Sequence, residues 1–234
     1  MAKITFHPSL PDNKIFVPYP KPANQYKSEW YDKVEAFYDK SQMYGENHSS
    51  NLTIKHCVPF RDSLFAGYIQ ESWQEIHFEI LENGDFINYR FPSEPDILSH
   101  RDRASLPMGP EYYPIEFVIK VPWSYETPPG WSVLITQPFN RPELPFFVPA
   151  AIVDSDYLKN TTGEANVPVY LRKDAPPLIK SGTPLYQIIP FKREDWESEV
   201  ADFNADAQKN IIAKTKKYFW GGYKKSFWQK KSYI

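Results

Sequence analysis

The residues best suited to chemistry are Asp154 and Asp156, which flank Ser155 at the end of the apolar run "FFVPAAIVDSDY". Two carboxylates this close can share the work of hydrolysis, one activating water and the other holding a metal ion. The same three residues also make a strand-ending turn, because Asp and Ser side chains bond to nearby backbone groups. His56-Cys57 is a second pair with nucleophilic character. Neighbours on a strand face opposite sides, so a structural cysteine is the better reading. His7, His48, His77 and His100 lack any metal-ligand spacing. No metal and no cofactor are expected.

A different chemistry is written into the C-terminal stretch "KKYFWGGYKKSFWQKK". Lys216, Lys217, Lys224 and Lys225 interleave with Trp220, Tyr223 and Trp228, and these seven form the candidate partner-binding set. Lysines track phosphates and aromatic rings stack on bases, so a nucleic acid would suit the tail. An acidic patch on a protein would suit it equally, with the aromatics as anchors. The aromatics can also fold back onto their own domain. After Asp206 the chain has eight lysines and no acid; against a net charge of −2, the rest therefore carries −10. Such asymmetry points to a tail that meets something acidic.

These groups need a scaffold, and the composition describes one. The chain has 234 residues, of which 23 are Pro and 17% are aromatic. Aromatic side chains bury large areas, so a sizeable core is within reach. Proline is excluded from helix interiors and central strands, so its scatter suits many short strands joined by rigid corners. Cys57 is the single cysteine, which excludes an internal disulfide. No apolar leader opens the sequence and no run of about 18 apolar residues occurs, so no membrane partner is expected.

Along the chain, residues 1–51 read as an N-terminal arm and a short helix with Ser28 as N-cap and Trp30, Val34 and Phe37 (or Tyr38) on one face. Residues 52–194 read as a β core. Ile76, Phe78 and Ile80 alternate with polar residues, and Asn83-Gly84 signals a hairpin turn. Strands are also expected in "IEFVIKVPW", "WSVLITQPF", "PVYLRK" and "LYQIIPFKRE". Residues 195–234 read as a helix from Asp195 to about Tyr218, followed by the basic aromatic tail. The fold class predicted is mainly β, a β-clip-like sandwich or barrel with a short N-terminal and a C-terminal helix.

Two resemblances attach to these motifs. "IVDSDY", followed further along by "IKSGTPLYQIIPF", resembles the late half of the dUTPase / dCTP deaminase fold, with Gly182, Gln187 and Ile188 in equivalent places. "FAGYIQES" is similar to the first dUTPase motif. The likeness implies a β-clip, often trimeric, and on that reading Asp154 or Asp156 would activate water at a nucleotide. Departures accompany it: Ile69 stands where the first motif has aspartate, and Leu158 replaces a glycine. The phosphate-binding "P-R-S" turn and the Gly-rich C-terminal arm are missing. A phosphate cradle needs close backbone approach, hence glycine. Secondly, "LTIKHCVPFRDSLFAGYI", "VPWSYETPPGWSVLITQPFN", "IVDSDY" and "SGTPLYQIIPFKREDW" resemble a family of uncharacterised proteins of tailed phages, notably marine and cyanobacterial ones. That resemblance implies a virus-encoded protein of the host cytoplasm during infection or of the virion. The function expected is non-enzymatic, a structural or interaction protein that binds itself and other phage proteins. A dUTPase/dCTP deaminase-like enzyme is the alternative.

Overall fold

The computed structural model describes residues 2–44, 50–81, 86–157 and 165–231. The turn expected at Asn83-Gly84, and also His48 and Leu158, lie outside them. The described chain is mainly β, built from antiparallel sheets with few helices. It divides into a unit of Met1–Tyr26 with Gly67–Arg193 and a unit of Lys27–Ala66 with Glu194–Ile234. Both units are discontinuous in sequence, whereas the segments 1–51, 52–194 and 195–234 are contiguous. The difference arises because residues 1–26 supply strands that pair with the sheets, whereas residues 27–66, with a 3-10 turn at 54–56 and a helix at 58–64, group with the C-terminal segment.

All the strands belong to the first unit. The N-terminal arm gives β1 (Thr5–Pro8) and β2 (Lys21–Pro22), with one helical turn, α1 (Asn13–Phe16), between them. The middle of the chain gives β3 (Tyr68–Glu71), β4 (Ile76–Leu81), β5 (Phe86–Arg90), β6 (Leu98–Arg101), β7 (Glu116–Lys120) and β8 (Trp123–Glu126). The remainder gives β9 (Trp131–Thr136), β10 (Phe146–Phe147), β11 (Ala151–Val153), β12 (Asn166–Leu171), β13 (Leu178–Ile179) and β14 (Pro184–Lys192).

They pair as a five-stranded sheet, β11-β9-β14-β3-β2, and a four-stranded sheet, β10-β12-β7-β6, with smaller sheets β13-β4-β5 and β1-β8. Every pairing is antiparallel. One apolar cluster takes residues from both larger sheets: Phe117, Ile119 and Val169 from one, Val133, Tyr186 and Ile188 from the other. Two sheets sharing one core make a sandwich. β14 is the central strand of its sheet, and Ile188 lies opposite Ile135 on one side and Tyr68 on the other. Its first five residues are all buried, as a strand covered on both faces requires.

Gly67 fixes how closely β3 approaches β14. Its φ is +64°, and a side-chain carbon there would lie 2.1 Å from the carbonyl oxygen of Ile188. Only glycine accepts both the left-handed backbone and the approach.

The second unit contains α2 (Glu29–Lys33), α3 (Val58–Leu64), α4 (Ala205–Lys216) and α5 (Gly222–Ser226). Four expectations change here. Helix α2 stops at Val34, which is extended, so Phe37 does not share its face and instead bridges to Leu52. Ser28 stands at the N-cap position without making a side-chain cap bond. Residues 54–64, read as strand, form a 3-10 turn and α3; the Thr53 side chain accepts from the Lys55 amide, and Pro59 sits in the first helical turn, where its missing N–H costs nothing. The expected helix from Asp195 begins only at Ala205, where the Asn204 side chain caps the Ala207 amide at 2.9 Å. Upstream, Asp195 and Glu199 would repel each other at helical spacing, as would Glu199 and Asp202.

Candidate functional site

Strand β11 delivers Asp154, Ser155 and Asp156 to the end of the sheet where β9 begins and β14 finishes. Arg193, the residue after β14, reaches both aspartates. Its Nη1 donates to Asp154 Oδ1 at 3.1 Å, to Asp156 Oδ1 at 3.0 Å and to Ser132 Oγ at 2.9 Å, and its Nη2 closes a second contact on Asp156 Oδ2. The guanidinium thus grips Asp156 with both nitrogens, the geometry for which arginine is suited.

Further bonds reach both carboxylates, although the Asp154 side chain is 63% exposed and is held through Oδ1. The Gly130 amide donates to Asp156 Oδ2 at 2.8 Å, and Ser132 Oγ donates to Asp154 Oδ1 at 2.7 Å. Ser155 is fully buried and shares a hydrogen bond of 2.7 Å with Thr127. The bond from Arg193 chiefly, with help from the Gly130 amide and against the cost of desolvation, holds the Asp156 carboxyl below the usual carboxylate range. A general base needs a lone pair open to water and a proton affinity near the working pH. Asp156 offers neither. The arrangement is a latch that ties β9, β11 and β14 together.

Arg193 is the member that sequence reasoning missed. It ends a strand whose alternation accounts for its neighbours, and nothing local in the sequence marks it as the partner of residues 37 and 39 positions earlier.

Positions singled out by the nucleotide-enzyme likeness are structural here. Ile69 is buried in mid-strand, opposite Gln187 on one side and Lys21 on the other. Gln187 is also fully buried, and its side-chain oxygen accepts from the Phe139 amide at 2.8 Å.

A second polar centre was not foreseen. Glu116 on β7 has no exposed surface. Its Oε1 accepts from Arg101 Nη1 at 2.6 Å; its Oε2 accepts from the Ser105 amide at 2.9 Å, from Tyr170 OH at 2.7 Å and from the Ser105 hydroxyl. Burial alone would raise its pKa. The hydrogen bonds from Ser105 and Tyr170, with the Arg101 charge, outweigh burial and hold it low. Both oxygens are filled, so this too is a fastener, pinning the irregular segment after β6.

The candidate tail residues divide into two groups. Trp220 packs edge-on against Phe37 at 5.1 Å and Phe219 at 4.5 Å. Trp228 donates its indole N–H to Asp62 Oδ2 at 2.7 Å, and Lys231 pairs with the same oxygen at 2.9 Å. These two tryptophans therefore pack within their own unit. Lys216, Lys217, Tyr223, Lys224 and Lys225 are exposed, with Lys225 4.7 Å above the Tyr218 ring. Cys57 is exposed, not buried as a structural cysteine would be.

The most open part of the chain lies just upstream. Residues 193–204 have neither helix nor strand, and no residue of α4 is buried. Trp196, Val200 and Phe203 are 87%, 99% and 78% exposed, and Ile211 and Ile212 are exposed as well. Five large apolar side chains in one arm without cover mark an interaction surface. The signal was present in the sequence but was absorbed into a helix expected to pack.

Among the described residues, no group of three or more His, Cys, Asp or Glu side chains is placed to hold a metal ion, and no helix is long and apolar enough to cross a membrane. Comparison with protein-family models, with curated proteins and with solved structures returns no match.

Proposed function

We propose that this chain is a non-enzymatic, self-associating structural or interaction protein of a tailed phage, either carried on the particle or used in its assembly. The observation that carries the reading is the uncovered arm of residues 194–216. An apolar arm of this kind is costly in water and gains most from a partner. The phage motifs quoted above supply the context. The latch favours this reading over nucleotide hydrolysis, because Arg193 takes up Asp156 with both nitrogens and leaves the exposed Asp154 without a second open carboxylate beside it.

Sedimentation equilibrium of the full chain tests it. The expectation is a reversible oligomer at micromolar concentration that dissociates when Ile211→Ser and Ile212→Ser are introduced together. These side chains are exposed, so folding is left intact. A monomer at every accessible concentration would refute the self-association. For the role on the particle, mass spectrometry of purified particles is expected to find the chain among their proteins; its absence would restrict it to assembly.

A further inference from the structure

We infer that residues 194–204 are a docking strap for a second copy of this chain, received by an apolar groove of the β unit flanked by Lys3 and Lys14. The inference rests on the self-association reading and names its two surfaces. The strap carries Glu194, Asp195, Glu197, Glu199 and Asp202 and no basic residue. It has no proline, so each of its residues carries a backbone N–H. On an extended chain Trp196 and Val200 share one face, and Glu197 and Glu199 share the other.

The groove has the complementary character. It encloses about 860 Å³ and is lined by Phe6, Ile15, Phe16 and Tyr19, with Lys3 and Lys14 as its charged lining residues and no carboxylate among them. Ile15, Phe16 and Tyr19 are 74%, 59% and 58% exposed. With Trp196 and Val200 in the groove, Glu194 and Asp202 share their face at either end and Asp195, Glu197 and Glu199 lie on the other; the long side chains of Lys3 and Lys14 can meet either set at the rim. Charge of this kind selects the partner and its orientation.

The areas are adequate. An aromatic side chain buries about 150–250 Å², so Trp196 with the smaller Val200 covers roughly 300 Å² and removes a similar area of groove. Reciprocal docking of two straps then reaches the roughly 1,200 Å² at which specific interfaces begin.

The test mixes equal amounts of unlabelled and ¹⁵N-labelled full-length chain, allows exchange, and applies a zero-length carbodiimide cross-linker. Cross-links are expected between Lys3 or Lys14 and Asp195, Glu197 or Glu199, half of them joining one light and one heavy peptide. Lys3→Glu with Lys14→Glu should weaken association by more than about tenfold, since like charges would then face each other. Adding Glu197→Lys and Glu199→Lys to that variant should restore it. Cross-links confined to single-isotope pairs would mean that the strap docks within its own chain, and would overturn the inference. An oligomer indifferent to both charge reversals would overturn it while leaving self-association standing. A monomeric wild type would remove both.

Discussion

Replacing Glu116 with Gln is the sharpest probe of the β unit, because the side chain is fully buried and each of its partners is known. Three donors converge on Oε2: the Ser105 amide, the Ser105 hydroxyl and the Tyr170 hydroxyl. A hydrogen bond to a charged group contributes about 1.5–3 kcal/mol, and a neutral one about 1. Removing the charge therefore weakens three bonds by roughly 1 kcal/mol each. The new amide N–H group at the Oε1 position meets the Arg101 donor instead of an acceptor, which adds about 1–3 kcal/mol if it stays unpaired. Arg101 is itself half-exposed and can turn to water. The sum is about 4 kcal/mol, equivalent to a fall of roughly 8–16 °C in Tm for a chain of this size.

Urea and thermal unfolding at pH 7, followed by near-ultraviolet circular dichroism, measure this loss. The dependence on pH adds a second check. Because the folded carboxyl is held low, its contribution is fully present above the unfolded pKa of about 4.3 and is lost as pH falls through the folded value. Wild type should therefore lose stability on acidification more steeply than Glu116→Gln, and the gap between them should narrow below about pH 4. A variant within about 1 kcal/mol of wild type at pH 7, or a gap unchanged down to pH 2, would refute the reasoning.

Other consequences can be checked separately. Gly67→Ala combines a left-handed backbone with a clash against the Ile188 carbonyl, and should destabilise the β unit by about 2–5 kcal/mol in urea unfolding; a neutral result would mean that β3 sits further from β14. Asp62→Asn removes the charge that holds Trp228 and Lys231, so limited trypsin digestion should cut after Lys230 or Lys231 sooner than in wild type; an unchanged rate would show that the tail is held otherwise. Incubation with the common dNTPs and Mg²⁺ should release no pyrophosphate, and Asp154→Asn should leave that baseline where it was. Turnover abolished by the substitution would return the acid pair to catalysis.

Much of the sandwich could be read from sequence, because its strands announce themselves by local pattern. The apolar runs of β7 and β9 lie within the segments expected to be strands, and those of β12 and β14 overlap theirs, starting one or two residues earlier. β6 was hidden in a stretch dense with Pro, Ser and charge, where Leu98–Arg101 offers a single buried residue at its start. α3 was hidden for a different reason. "HCVPF" has strand-like composition, and Pro59 looks like a strand edge until it is recognised as a first-turn proline. The helix placed over 195–204 failed because apolar spacing was weighed without the repulsion among acids on the same segment. At the aspartates the residues were found and their role was left open, since a turn and a catalytic pair share the same local sequence. The distinction lay in Arg193, which only the register of β9, β11 and β14 brings near.

Hydrogen exchange of the arm as a function of protein concentration tests the central claim most directly. In dilute solution the amides of residues 194–204, which have no regular hydrogen-bonded structure, should exchange within seconds. As concentration rises and the oligomer forms, protection should appear in 194–204 first and track the oligomer fraction. Protection that arises elsewhere while these amides stay open would contradict the claim, as would an arm already protected in the monomer.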